Sequence, residues 1–479
     1  MLLDDHDNAC VLLLEAPTGR VVTAATVRDR VAQIIQAKRG LAFLLAARTA
    51  ESATWLLALI EARYPVALLD SDNTWPNIAG LIDRYRPDLV VDPTGQHVGR
   101  LVASPQGARG QLVEPTVWRA SEGGPEPHED LAVLLATSGS TGSPKFVRLS
   151  SANVRTNAEQ IVDSLGVTAE DRGVTALPLF YSYGMSVLTS HALARSPVLV
   201  TAGSVLDESF WSELVRYDVS FFPGVPTTYG MLKRLGFDQR NLPHLRALTQ
   251  AGGRLARELV GFFHRVMTRK GGQFFVMYGQ TEASPRIACL PSERLPEKLG
   301  SAGIALAGGE LSIRGQDGDE LAAGGIGEII YRGPNVMMGY AESREDLAMG
   351  ATHGSTLATG DLGYLDDEGF LYVTGRSKRI CKLAGARVSL DDVEIIATGL
   401  LRGEGQIAAV DGGDAGVSLF ATDLDNLSVV DLRRRLARHL RVSLRLIDVR
   451  RVDALPLLPN GKTDYATLGR VLGAGPEPT

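Results

Sequence analysis

Through the first 300 residues of this chain, short apolar runs recur between segments whose apolar residues follow a helical spacing. Leu41–Ala46, Val66–Leu69, Leu89–Val91, Leu131–Ala136, Val198–Thr201 and Phe274–Met277 are too short for core helices and read as buried strands. Thr26–Ala37, Ala53–Ala62 and Trp211–Tyr217 read as helices between them. This alternation predicts an α/β fold with largely parallel sheets, because parallel neighbours need crossover helices that cover both faces. From about Gly300 the texture changes to alternating strands punctuated by glycine, Glu310–Arg314, Gly327–Arg332 and Phe370–Val373, as in an antiparallel barrel or sheet module. Beyond Arg376 a basic tail of mixed pattern reads as a small α+β unit. The expected architecture is a large N-terminal domain (residues 1–376) of two mostly parallel α/β sheets plus a small β-barrel. A small α+β C-terminal domain (379–479) follows it, with Gly473–Thr479 as an unstructured end.

Bulk properties narrow the function. At 479 residues the chain is too long for one ordinary core. Lys and Arg number 49 against 55 Asp and Glu, a net charge of −6, which argues against nucleic acid as a partner. Cys10, Cys289 and Cys381 lie far apart without a CxxC pair, so neither a disulfide framework nor a zinc site is indicated, and a reducing cytoplasm fits best. The N-terminus, Met-Leu-Leu-Asp-Asp-His-Asp, is acidic where a signal peptide is basic. The apolar region Trp55–Leu69 is interrupted by Glu61 and Arg63 and cannot span a bilayer. A soluble enzyme is expected.

The strand Leu131–Ala136 breaks into Thr137, Ser138, Gly139, Ser140, Thr141, Gly142, Ser143, Pro144 and Lys145. Gly139 and Gly142 let the backbone turn tightly and bring N–H groups close to an anion, five hydroxyls add donors, and Lys145 adds a mobile positive charge. A phosphate loop is the expectation. It is not a Walker A loop, which needs glycine directly before the lysine. Gly461-Lys462-Thr463 fails as well, since Pro456 stands where that motif needs its first glycine.

Further motifs are weaker alone. Tyr278-Gly279-Gln280-Thr281-Glu282 follows a strand and places a hydroxyl and a carboxylate where Mg²⁺ and phosphate are bound, or is an ordinary turn. Thr359-Gly360-Asp361 reads as a turn opening the hairpin Tyr364–Val373, with Asp361 either a ribose ligand or an Asx-turn residue. Gly375-Arg376-Ser377-Lys378-Arg379 is by itself a solvated charge run, and Leu458-Pro459-Asn460-Gly461-Lys462 presents a lysine on a rigid turn.

Taken in order, SGSTGSPK, the Ala251-Gly252-Gly253 triplet, YGQTE, TGD, GRSKR and PNGK resemble the ANL superfamily of adenylate-forming enzymes. That family comprises acyl- and aryl-CoA synthetases, peptide-synthetase adenylation domains and luciferase. The segment Gly327–Tyr340 resembles its linking motif, and the likeness extends from about residue 20 to 466.

By position the resemblance implies that the loop Thr137–Lys145 closes over the β- and γ-phosphates of ATP. Gly252 and Gly253 are to line an adenine slot, with Tyr278 stacked on the base and Gly279 beside it. Thr281 and Glu282 are to serve the α-phosphate and Mg²⁺, Glu282 as metal ligand. Asp361 is to bind the ribose with Arg376 assisting. Lys462 is to reach the α-phosphate and the attacking carboxylate, and Lys378 is to be the hinge of a mobile C-terminal domain. The acyl pocket is expected around Tyr181, Ser182, Tyr183, Gly224 and Gln280. The implied reaction is adenylation of a small carboxylic acid, then transfer to a phosphopantetheine thiol of a carrier protein or coenzyme A.

Two departures stand out. Phe146 replaces the glycine usual after the loop lysine, and Tyr181 stands where acyl- and aryl-CoA ligases often have histidine. Amino-acid-activating relatives commonly carry Asp near Ser182 for the α-ammonium group, and serine cannot supply that charge. An amino-acid-activating or amide-forming ligase is therefore the alternative, and a non-catalytic nucleotide-binding relative the remaining one. Asp431–Arg451 carries eight arginines with Leu432, Leu436 and Leu440 at helical spacing. It is a solvated amphipathic helix and strand, or a docking face for an acidic carrier protein in trans or the phosphates of coenzyme A.

Overall fold

The computed structural model describes residues 1–473 apart from 17, 104–109, 137–144, 377–378, 384–385, 402–404, 414–415, 425–426 and 459–461. Its largest sheet has eight strands, with Val66–Asp70, Ala42–Ala46, Leu89–Val91 and Leu131–Ala136 parallel at its centre. Antiparallel strands flank them, Phe146–Ser150 and Gly339–Ala341 on one side, Val117–Ala120 and Gly110–Glu114 on the other. The central runs are continuously apolar because both faces are covered. Phe43 and Leu45 pack against Ile78, Leu81 and Ile82 of the helix Trp75–Tyr85, while Ala42 and Leu44 pack with the helix Ala50–Glu61 on the opposite face.

A five-stranded sheet runs Phe221–Gly224, Ala247–Gln250 and Gln273–Gly279 in parallel, then Arg286–Leu290 and Ile304–Ala305 antiparallel. The helix Ser151–Leu165 lies between the two sheets, giving Val154 and Ala158 to the first core and Ile161 and Leu165 to the second. Ser150 and Asn153 start it with reciprocal side-chain and backbone hydrogen bonds. A third sheet, beyond the two expected, joins Gly173–Val174, Val198–Val200 and Val11–Glu15 in parallel with Arg20–Thr23 at its edge.

The glycine-punctuated region forms a four-stranded antiparallel sheet of Glu310–Arg314, Gly327–Arg332, Thr356–Leu365 and Leu371–Arg376. Thr359-Gly360-Asp361 is not the turn expected before a hairpin but sits inside the ten-residue strand Thr356–Leu365. Gly360 adopts φ +72°, and the pairing with Gly327–Arg332 shifts register there, so the left-handed residue makes a bulge rather than a reversal.

After Arg376 the chain forms a two-stranded ladder, Ile380–Leu383 with Ala386–Ser389, and a three-stranded sheet of Ile407–Asp411, Val417–Ala421 and Ile447–Arg451. These elements bury a core of their own, including Val393, Leu419, Leu432, Leu436 and Ile447. The arginine-rich segment is a helix, Val429–Leu440, with Leu432 and Leu436 inward and Arg434, Arg435 and Arg438 exposed, followed by the strand Ile447–Arg451. Among the described residues no helix is long and apolar enough to cross a membrane.

Candidate active site

The carboxyl ends of the parallel strands Phe221–Gly224, Ala247–Gln250 and Gln273–Gly279 gather Gly224, Ala251–Gly253 and Tyr278–Glu282 in one region, the usual place for ligands in open α/β sheets. Tyr278 and Gly279 still belong to the strand. The Gln280 amide donates to Pro285 O (2.9 Å), and Thr281–Ala283 turns as one 3₁₀ turn that lifts Thr281 and Glu282 off the sheet. Thr281 Oγ1 donates to Ser182 Oγ at 3.3 Å. Glu282 Oε1 accepts from the Tyr340 hydroxyl at 2.8 Å, and the ammonium of Lys145 stands 3.6 Å over the Tyr340 ring. Tyr340 lies on the strand Gly339–Ala341 at the edge of the eight-stranded sheet, opposite Val147. One tyrosine thus ties the loop lysine to the acidic residue of the other sheet. Burial, and then the charge of Glu282, push its hydroxyl above the ordinary tyrosine range.

Phe146 is no loop residue. It opens the strand paired with Leu131–Ala136, is fully buried, and packs edge-on against Tyr85 at 4.9 Å. Thr137, Ser138, Gly139, Ser140, Thr141 and Gly142 of the expected phosphate loop lie outside the described residues.

On the other side of Glu282, the bulge aims Asp361 inward. Tyr278 donates to Asp361 Oδ2 at 2.6 Å, and Arg376 Nε lies 3.2 Å from Oδ1. Burial raises the Asp361 carboxyl above its ordinary range, while Arg376 and the Tyr278 hydrogen bond work against that rise. Arg376 is more than half exposed, so the ion pair orients Asp361 more than it stabilises the fold. Lys462 reaches the same place from the far end of the chain. Its backbone carbonyl accepts from Leu458 N at 2.7 Å, and its ammonium sits 5.4 Å over the Tyr181 ring. Burial, and next the like charge of Arg376, lower its pKa to about 8, with Asp361 and Glu282 opposing. Lys378 lies outside the described residues.

Tyr181 precedes the helix Ser182–Leu193 and is nearly buried. Gly252, at φ +84°, lies against it, and a Cβ there would sit 2.4 Å from the Tyr181 hydroxyl. Gly253 lies against Pro226, and Gln250 Nε2 donates to its carbonyl at 2.7 Å. Gly224 admits the Tyr229 ring, and the hydroxyls of Tyr229 and Tyr183 both bond Thr249. Tyr183 thereby offers the site its ring rather than its hydroxyl.

Arg286 escaped the reading of the sequence, as did the role of Tyr340. Arg286 heads the buried strand Arg286–Leu290, pairs in register with Gly279, and places its guanidinium 4.6 Å over the Tyr183 ring. A charged residue opening the otherwise apolar run Ile287–Leu290 was the one available signal. A cavity of about 270 Å³ between Met1, Ile60, Glu129 and Arg155 lies apart from all these groups and carries none of this chemistry.

The donor set suits Mg²⁺. Glu282 bonds Tyr340 through one carboxylate oxygen, Oε1, and among the described residues no group of three acidic, His or Cys side chains forms a closed metal cage. Magnesium is commonly held this way, by one or two carboxylates with the phosphates and water supplying the rest.

Residues 28–341 match the family of AMP-binding enzymes. A 2-succinylbenzoate–CoA ligase of Bacillus velezensis is 36% identical over 271 residues, covering 56% of this chain and 53% of that protein. An oxalate–CoA ligase of Arabidopsis thaliana is 29% identical over 273 residues, covering 56% and 52%. In these alignments the chain spans about half the length of the curated relatives it matches. An o-succinylbenzoate CoA synthetase of Bacillus subtilis, solved with its acyl-adenylate intermediate, superimposes with a TM-score of 0.77 at 23% identity, over 95% of this chain and 94% of that one. ATP-bound MatB of Rhodopseudomonas palustris superimposes with a TM-score of 0.78 at 22% identity, over 98% and 97%. The family match spans most of the chain, the architecture is that of these adenylating enzymes, and the chain belongs to the AMP-binding enzyme family.

Proposed function

We propose that this protein activates a carboxylic acid with ATP and then transfers the acyl group to a phosphopantetheine thiol. The observation that carries this reading is the convergence of Glu282, the hairpin pair Asp361 and Arg376, and Lys462, from three distant stretches of chain, on one partly buried site. Substrate carboxylate and α-phosphate are both anionic, so their approach needs a cation placed between them. Lys462 supplies it as one carboxylate oxygen bonds to the α-phosphorus and the bond to the β-phosphate oxygen breaks, releasing pyrophosphate. Asp361 accepts from the ribose hydroxyls and Arg376 holds it in place. Glu282 and Thr281 are the residues to hold Mg²⁺, which when bound neutralises phosphate charge. The loop 137–145 surrounds the leaving phosphates.

In the second step a thiolate attacks the acyl carbon and AMP departs. The names of the curated relatives support coenzyme A as acceptor. The exposed Arg434, Arg435 and Arg438 offer a face for either its phosphates or an acidic carrier protein. Domain alternation belongs to the same proposal, residues 379–479 turning on 1–376 about a hinge at 377–378. Lys378→Pro is then expected to keep adenylate formation and lose thioester formation.

The test is pyrophosphate release across a panel of carboxylic acids, followed by intact-mass detection of acyl-coenzyme A or an acylated carrier protein. Acid-dependent release and a thioester product are expected. An ATP-binding protein with no acid-dependent release overturns the reading.

A further inference from the structure

Among the described residues three arginines are buried nearly completely, and two of them are fully provided for. Arg148, 0% exposed, gives its guanidinium to the carbonyls of Tyr340, Met338, Met349 and Gly350. Arg344, also 0% exposed, pairs with Asp88 at 2.7 Å and bonds the carbonyls of Pro125 and Arg86. Arg286, 2% exposed, has no ion pair and no side-chain hydrogen bond with any described residue, and its Nε is buried without a partner. The face of Tyr183 attends it at 4.6 Å, with the Cys289 thiol and Tyr181 near enough to act on its charge. A guanidinium taken out of water keeps its charge, and without a counter-charge it is a strong destabilising element.

Its position gives the cost a purpose. Arg286 pairs with Gly279, at the start of the segment that carries Thr281 and Glu282. Its charge acts on Tyr181 and Tyr183, whose rings stand 6.3 Å apart. The ammonium of Lys462 stands 5.4 Å from the centre of the Tyr181 ring. Two buried cations therefore flank the tyrosine pair, Lys462 over the Tyr181 ring and Arg286 over the Tyr183 ring. Lys462 has Asp361 and Glu282 as opposing charges, whereas among the described residues Arg286 has no acid beside it.

We infer that the acid activated at this site carries a second carboxylate, and that Arg286 is the specificity residue that receives it. The inference rests on the adenylation reading of the site. One carboxylate reacts at Lys462, and the other meets the planar fork of Arg286 through two parallel N–H···O bonds, the geometry in which arginine outperforms lysine.

The experiment compares kcat/KM for pyrophosphate release on skeleton-matched pairs, butyrate with succinate, valerate with glutarate, hexanoate with adipate and benzoate with phthalate. The full chain is used, as wild type, Arg286→Met and Arg286→Lys. Wild type is expected to favour the dicarboxylate of at least one pair by tenfold or more. Arg286→Met is expected to lose about 100-fold on that dicarboxylate and to reverse the preference within the pair, at unchanged KM for ATP, with Arg286→Lys between them. Monocarboxylate preference in wild type overturns the inference while leaving adenylation intact, as does a ratio that Arg286→Met leaves unaltered. Absence of release with every acid overturns the adenylation reading itself. The wild-type comparison decides the matter even if Arg286→Met fails to fold.

Discussion

The hydroxyl of Tyr278 donates to the carboxylate of Asp361 across 2.6 Å, joining the end of a parallel strand to a bulge in the antiparallel sheet. An acidic group proposed for ribose binding is thus already held by a tyrosine of the nucleotide motif, and Arg376 orients its other oxygen. Asp361→Ala is expected to raise KM for ATP by about 10-fold or more with a smaller effect on kcat, because ribose contacts bind ground and transition states alike. Tyr278→Phe leaves the carboxylate in place and is expected to change KM by less than about 5-fold. Initial-rate kinetics with varied ATP separate the two, and an unchanged KM in Asp361→Ala refutes the assignment.

Lys462 gives a pH signature. Its pKa, lowered to about 8, means that the charged form is lost as pH rises through that value in the free enzyme. The kcat/KM for adenylation is therefore expected to fall above pH about 8. The alkaline limb of kcat should lie higher, since bound phosphates raise the lysine pKa. Lys462→Ala is expected to cost about 10²–10³ in adenylation rate, and Lys462→Arg, which stays charged, to remove the limb at reduced rate. A kcat/KM profile flat from pH 7 to 10 in the wild type excludes this role.

Tyr340 meets Glu282 with its hydroxyl and Lys145 with its ring. Tyr340→Phe keeps the ring and frees the carboxylate, so the Mg²⁺ concentration for half-maximal activity is expected to rise a few-fold at nearly unchanged KM for ATP. Tyr340→Ala removes both contacts and is expected to raise both constants. Magnesium titrations at fixed ATP read the difference, and identical behaviour of the two variants disproves the division of labour.

Gly252 combines a left-handed φ of +84° with a Cβ position 2.4 Å from the Tyr181 hydroxyl. Gly252→Ala is expected to destabilise the protein by about 1–3 kcal/mol through backbone strain and to displace Tyr181 from beneath Lys462. Adding Tyr181→Phe removes the clashing oxygen and should recover adenylation while leaving the strain. Denaturant unfolding together with pyrophosphate release checks both halves, and a double variant no more active than Gly252→Ala defeats the steric explanation.

Local pattern was legible where burial and period agree. The strands Leu131–Ala136, Glu310–Arg314 and Gly327–Arg332 form over the residues that their apolar patterns mark, since a chain segment covered on its core face must be apolar there wherever it lies. The ordered motifs identified the family because each phosphate or ribose contact needs a particular residue type at a particular turn. The sequence by itself therefore determined the element types, the family and which residues compete for a role. Tertiary structure alone decided what meets what. Val11–Glu15 finds Val198–Val200 nearly the whole chain's first half away, and Thr359–Asp361 becomes a bulge because a partner strand lies opposite it. Glu282, Tyr340 and Lys145 become one unit only where two sheets abut. Arg286 shows the reason most plainly. An arginine is written the same way whether solvated or buried, and its charge acquires meaning only from the dielectric and the counter-charges that folding brings around it.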